Sequence, residues 1–217
     1  MRLFRSFHLS SFFRQAVIVV AVTSAAIVPA SASHATTPAE SLISDNIQKG
    51  LGILNNTQLT QVQRGAQFET FLLSVTDLRR VSTFVLGPYG PRASQAQRDD
   101  FAAAFQNYAV AVYRSFLGKY AGQALKVTGS RQNAPGDDIV TTTLIDPDDS
   151  SGRPLEIDFR IRSDTGKPAI VDFAVGGMWI ALEERDQFVA FLGQNGGSVP
   201  ALIAHLDVLR TGLGDAH

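Results

Sequence analysis

The sequence predicts an α+β layer fold, with helices first, an antiparallel sheet in the middle and helices again at the end. Two observations carry this. Apolar residues recur at helical spacing from about residue 39 to 120 and again after 178, and between 125 and 175 the period drops to two. The connectors inside the period-two region, "QNAPGDD", "DPDDSSGRP" and "SDTGK", are turn chemistry, so its strands join as hairpins.

The first helix starts near Ala39 and aligns Leu42, Ile43, Ile47, Leu51 and Leu54 on one side, with Gly50 and Gly52 as weak points. Thr60 followed by Gln63 reads as a capping box that opens a second helix. Its apolar face is Phe68, Phe71, Leu72 and Val75. Thr76-Asp77 reads as a break. Beyond it Leu78, Val81, Phe84, Val85 and Leu86 form another apolar face, and "GPYGPR", which contains Tyr89, is a turn.

The longest helix covers 94–120, opened by a second capping box, Ser94 with Gln97. Phe101, Phe105, Tyr108, Val112, Phe116 and Tyr120 follow at steps of four, three, four, four and four, and Tyr113 and Leu117 widen the stripe. A stripe this wide requires a large apolar partner. The same periodicity serves a dry core and a cavity wall.

Four strands follow: "LKVTGSR", "DIVTTTLID", "LEIDFRIRS" and "AIVDFAV". The third alternates cleanly, with Leu155, Ile157, Phe159 and Ile161 against Glu156, Asp158, Arg160 and Arg162; the fourth groups Val171, Phe173 and Val175. A four-stranded antiparallel meander with one apolar and one wet face is expected. Then "MWIALEERDQFVAFLGQNGG" reads as a helix with Ile180, Phe188 and Phe191 inside, ending at Gly193 or Gly196. Ser198 caps a last helix with Leu202, Ile203, Leu206 and Leu209 buried and Pro200 in its tolerated first turn.

The N-terminus speaks to compartment. Arg2, Arg5 and Arg14 without an acid, the apolar run "AVIVVAVTSAAIV", and "PASASHA" have the order of an export signal, cleaved after Ala32 or Ala35. The apolar run of 13 is short for a membrane span. The expected organisation is a signal peptide over 1–35 and a single domain over 36–217. The chain has no cysteine, so disulfides, thiolate metal sites and lipid acylation at a cysteine are all excluded. An exported, unlipidated, cysteine-free chain suggests the periplasm. Without its signal the net charge is −4, which disfavours nucleic acid.

Catalytic motifs are sparse. Neither glycine-rich nucleotide motif occurs, and there is no nucleophile elbow. His205 is the one histidine between the signal and the C-terminal residue, which leaves no triad. "DPDDSSGRPLEI" spaces acids as a calcium loop does, but Ser151 replaces the glycine and Ile157 the bidentate glutamate, so a hairpin explains it better. No metal and no cofactor is expected. An enzymatic alternative would use Asp172 as a base with Tyr108 or Tyr113 as acid on an apolar substrate.

The segment "FLLSVTDLRRVSTFVLGPYGPRASQAQRDDFAAAF" resembles the MlaC, or toluene-tolerance, family of periplasmic lipid-transport proteins. The carrying residues are Asp77, Leu86-Gly87, Tyr89, Arg92, Ala93-Ser94, Gln97-Arg98 and Phe101, continued by Tyr113, Tyr120 and Gly122, then by Asp172, Gly177, Arg185, Gln187 and Phe188. Trp179 stands where that family usually has a small residue, and Gly90-Pro91 separates the aromatic from its arginine.

The resemblance implies an α+β fold around an apolar lipid cavity and a soluble shuttle for phospholipid. Its partners would be an inner-membrane ABC transporter complex and an outer-membrane lipoprotein complex, its role the support of outer-membrane lipid asymmetry. A hopanoid-associated carrier of the same family is the alternative. Two acyl chains of about 16 carbons are disfavoured in water by roughly 25 kcal/mol, at about 0.8 kcal/mol per methylene. A carrier must replace that water with an apolar lining. The expected lining is Phe68, Phe71, Leu78, Val81, Phe84, Val85, Tyr89, Phe101, Phe105, Tyr108, Val112, Phe159 and Phe173, with Trp179 at the rim.

Overall fold

A computed structural model of the chain describes residues 36–117, 120–147 and 154–214. The expected signal peptide and its cleavage sites lie outside the described residues, as do most of the calcium-like loop and the side chains of Phe116 and Leu117. Among the described residues, six α-helices and five strands run in the order α1 (Pro38–Leu54), α2 (Gln61–Val75), α3 (Leu78–Val85), α4 (Gln95–Leu117), β1 (Ala124–Ala134), β2 (Asp137–Ile145), β3 (Leu155–Arg162), β4 (Ala169–Val175), β5 (Met178–Trp179), α5 (Ile180–Gln194) and α6 (Val199–Gly214). A 3-10 turn, Gly87–Arg92, joins α3 to α4.

The helix starts are chemically specified. Thr37 with Glu40 and Thr60 with Gln63 form reciprocal capping boxes. Ser94 and Gln97 do the same for α4: the Gln97 amide donates to the Ser94 hydroxyl at 3.1 Å and the Ser94 amide to Gln97 Oε1 at 2.8 Å. The break at Thr76-Asp77 is real. Thr76 ends α2, and the Asp77 carboxylate accepts from the Arg80 amide at 2.9 Å to start α3. In passing, the chain touches the sheet: Thr76 bridges Ile170, and the Asp77 amide donates to the Ile170 carbonyl at 3.0 Å.

The sheet is a sequential antiparallel meander, β1-β2-β3-β4-β5. It has five strands where the sequence pattern suggested four. The extra one is Met178–Trp179, which the helical pattern had absorbed into α5. Gly176 and Gly177 hold φ of 58° and 86°, Val175 pairs with Met178, and the two glycines form a tight hairpin turn. The helix therefore begins only at Ile180.

Apolar residues divide into two cores. Val140 pairs with Phe159, and Phe159 with Phe173, so these three share one sheet face. On that face α1 lays Ile43, with Leu42 and Ile47, over Val140 and Ile161. The other core is helical. Phe101 and Phe105 on α4 meet the Phe188 ring edge-on, with centroids 6.3 Å apart in both cases, and Leu192, Leu202 and Leu206 close the cluster. Edge-to-face contact suits the ring quadrupoles.

An ionic cluster ties α3 to the strand ends. Arg160 grips the buried Asp137 through two bonds of 2.8 and 2.7 Å, Arg162 reaches Asp137 at 3.3 Å and Asp164 at 2.6 Å, and Arg80 holds Asp164 at 2.7 Å. The guanidinium bonds hold the Asp137 carboxyl below the usual carboxylate range despite its burial.

Candidate functional site, an apolar cleft with two carboxylates

Between the two cores lies a cleft walled by α3, α4, α5 and β4. The aromatic stripe of α4 explains its position. Phe101, with no exposed surface, packs wholly inside the helical core, and Phe105 straddles core and cleft. One and two turns on, Tyr108, Val112 and Tyr113 face the cleft, and the Tyr113 ring approaches Phe173 of β4 with centroids 6.4 Å apart. So the stripe serves a dry core at one end and a cavity at the other. Leu78 and Val81 of α3 form the opposite wall, and Ile180 and Ala181 bring in the start of α5.

Of the residues expected to line a cavity, Leu78, Val81, Phe105, Tyr108, Val112 and Phe173 meet in this cleft. The others lie elsewhere. Val85 is enclosed in the helical core with Phe101. Phe159 packs under α1. Phe71 lines a separate shallow groove with Ile53, and Phe68 lies beside it, ring centroids 5.8 Å apart. Phe84 is 43% exposed, beneath the Arg185 guanidinium at 5.2 Å. Tyr89 packs on Gly197. Trp179 is half-buried in β5, immediately before the cleft residues Ile180 and Ala181.

Two acids stand in this otherwise apolar wall, Asp172 and Glu184. Asp172 completes a helix cap. Trp179 occupies the N-cap position of α5 but has no side chain to accept there. Asp172 supplies it from the neighbouring strand, its Oδ1 accepting from the Ala181 and Phe173 amides at 2.8 Å each. Burial still pushes its carboxyl up, against those two amides and the charge of Arg160.

Glu184 accepts a hydrogen bond from the Tyr108 hydroxyl at 3.0 Å. Burial raises its carboxyl, and only that phenol favours the anion. Tyr108 is raised too, by burial and then by the charge of Glu184. Burial, with Asp172 beside it, pushes Tyr113 up to about 12. The pairing of Asp172 with Tyr108 that an acid–base enzyme would use is not made, since Tyr108 donates to Glu184 instead.

The MlaC family model, described as MlaC protein, matches residues 44–208. The chain belongs to the MlaC family. Among solved structures it is similar to a phospholipid-binding protein from Ralstonia solanacearum, determined in complex with a phospholipid. The TM-score is 0.65 at 19% identity, over 81% of this chain and 96% of that one. The MlaC-like fold and the antiparallel sheet between two sets of helices are thereby shared. Among the described residues no helix is long and apolar enough to cross a membrane.

Proposed function

We propose that this protein is an exported carrier that holds phospholipid in the cleft between α3, α4, α5 and β4. The observation that carries the reading is the position of that cleft. It is an apolar seam between two separately packed cores, so its walls belong to bodies that can part without either core opening. Membership of the MlaC family and the shared fold with a phospholipid-complexed protein support it.

The free volume of the cleft is about 80 Å³, well below the roughly 300–1,000 Å³ of ordinary ligand pockets. Loading therefore requires the helices of the helical core to move together away from β4. In this reading the carrier crosses the periplasm between an outer-membrane lipoprotein complex and an inner-membrane ABC transporter.

Organic extraction of protein purified from the periplasm, followed by mass spectrometry, tests the ligand. Diacyl phospholipid at about one per chain is the expected result. Hopanoid would replace the ligand within the same architecture, and an empty extract from folded protein would remove the carrier reading. Transfer of labelled phospholipid between vesicles bearing the two complexes tests the route.

A further inference from the structure

Among the described residues, Asp172 and Glu184 are the charged groups of the cleft wall, and no cation joins them there. Their surroundings differ. Asp172 has two amide donors at the start of α5, and Arg160 lies behind it on β3. Those groups favour its anion whether or not the cleft is filled. Glu184 has the Tyr108 phenol alone, on one oxygen. Its other oxygen makes no hydrogen bond among the described residues, and water in the cleft is what remains to solvate it. An acyl chain occupying the cleft displaces that water and gives nothing in return. A carboxyl deprived of solvent in an apolar surrounding neutralises by taking a proton.

We propose that the cleft takes up one proton from the solvent with each lipid it binds, and that Glu184 is the proton's site. The proposal rests on the cleft being the lipid site. The step is a simple protonation, carboxylate plus solvent proton giving the neutral carboxyl; the Tyr108 hydroxyl continues to donate to it. By linkage the converse holds: acidity favours loading, and a more alkaline milieu favours release.

The other groups around Glu184 do not supply this response. From α4 come Tyr108 and Tyr113, both raised and so neutral from pH 5 to 8. From β4 comes Asp172; burial raises it too, but two amides and the charge of Arg160 oppose that rise and stay in place when the cleft fills, where Glu184 has one phenol. The α3 wall, Leu78 and Val81, carries no charge. On α5 itself Arg185 is turned onto Phe84, and Glu183 is exposed. His205 of α6 stacks on Phe191 at 4.5 Å, does not line the cleft, and serves as a control.

The test measures the affinity of delipidated protein for a diacyl phosphatidylcholine with a fluorescent acyl chain, whose headgroup charge is constant from pH 5 to 8. Binding is expected to tighten towards acid by up to about tenfold per pH unit, the limit for one proton. Glu184→Gln should bind with the acid-limit affinity at every pH. Tyr108→Phe, which removes the one donor to the anion, should move the wild-type profile to higher pH. Calorimetry in buffers of different ionisation heat should count about one proton taken up by the wild type and none by Glu184→Gln. If that variant fails to fold, the wild-type count decides alone. Affinity independent of pH with no proton uptake overturns the proposal, as does a slope that persists in Glu184→Gln or vanishes in His205→Gln. Folded wild type that binds no phosphatidylcholine at any pH defeats the carrier reading itself, and the proposal with it.

Discussion

The Asp172 carboxylate accepts a hydrogen bond from the Ala181 amide at 2.8 Å, so a residue of β4 caps the helix that begins eight residues later, at Ile180. This one bond joins the floor of the cleft to its α5 wall. Asp172→Ala is expected to destabilise the protein by about 1 kcal/mol, the ordinary cost of a lost cap. Asp172→Asn keeps an acceptor oxygen and should lose less than half of that. Urea unfolding of the three proteins measures both values, and equal losses would contradict the capping role.

Phe105 and Ala109 sit one turn apart on α4 but are expected to respond in opposite ways. Phe105 is 5% exposed and meets Phe101 and Phe188. Phe105→Ala should cost about 3–5 kcal/mol. Ala109 borders the cleft and is half-buried. Ala109→Phe should fill the space, keep most of the stability and lower the lipid recovered per chain. Undiminished lipid with that variant folded would move the binding site elsewhere.

The sequence legibly carried the helices, the break at Thr76-Asp77 and the meander, because capping chemistry and periodicity are local. What it missed was decided by tertiary contact. Met178-Trp179 fits a helical pattern, yet Gly176-Gly177 turns it back onto β4. The α4 stripe was evident, but its division between core and cleft depends on where Phe188 and Phe173 arrive. Glu184 was overlooked although a signal existed. It occupies the slot midway between Ile180 and Phe188 on the inward stripe of α5, where an acid is out of place.

Acid and alkaline responses should have opposite origins. Asp137 is held low by Arg160, so between its folded and unfolded pKa the unfolded chain binds more protons. Its contribution is present above about pH 3.9 and is lost as pH falls below that. Glu184 is raised by burial, so there the native state binds more protons, and stability declines as pH rises from about 4.3 through the folded pKa. Urea midpoints across pH 3–8 should show Glu184→Gln gaining on the wild type towards pH 8. Asp137→Ala should lose roughly 2–4 kcal/mol near neutrality, since it leaves two partly buried arginines short of a partner, and the loss should shrink in acid.

Gly196 and Gly197 end α5 with φ of 63° and 76°. A methyl group at Gly197 would stand 3.1 Å from the Tyr89 ring, whereas one at Gly196 meets open space. Both alanine variants bear the roughly 1–2 kcal/mol backbone cost of that region. Gly197→Ala should lose more, and the excess should vanish in a Tyr89→Ala background. A double-mutant cycle reads this directly; additivity would show that the ring gives way freely.

Because every strand of the sheet pairs with its sequence neighbour, hairpins can assemble without closing long stretches of chain. The cleft has no such shortcut. Its walls come from residues 76–81, 105–113 and 170–184, and Thr76 must find Ile170 before they meet. Bringing such distant segments together carries the larger entropic cost and comes slowly. The cleft is thus the last part of the molecule to form: in refolding, sheet signals should precede any capacity to take up acyl chains, and a lipid added from the start should hasten only the final docking of the helices.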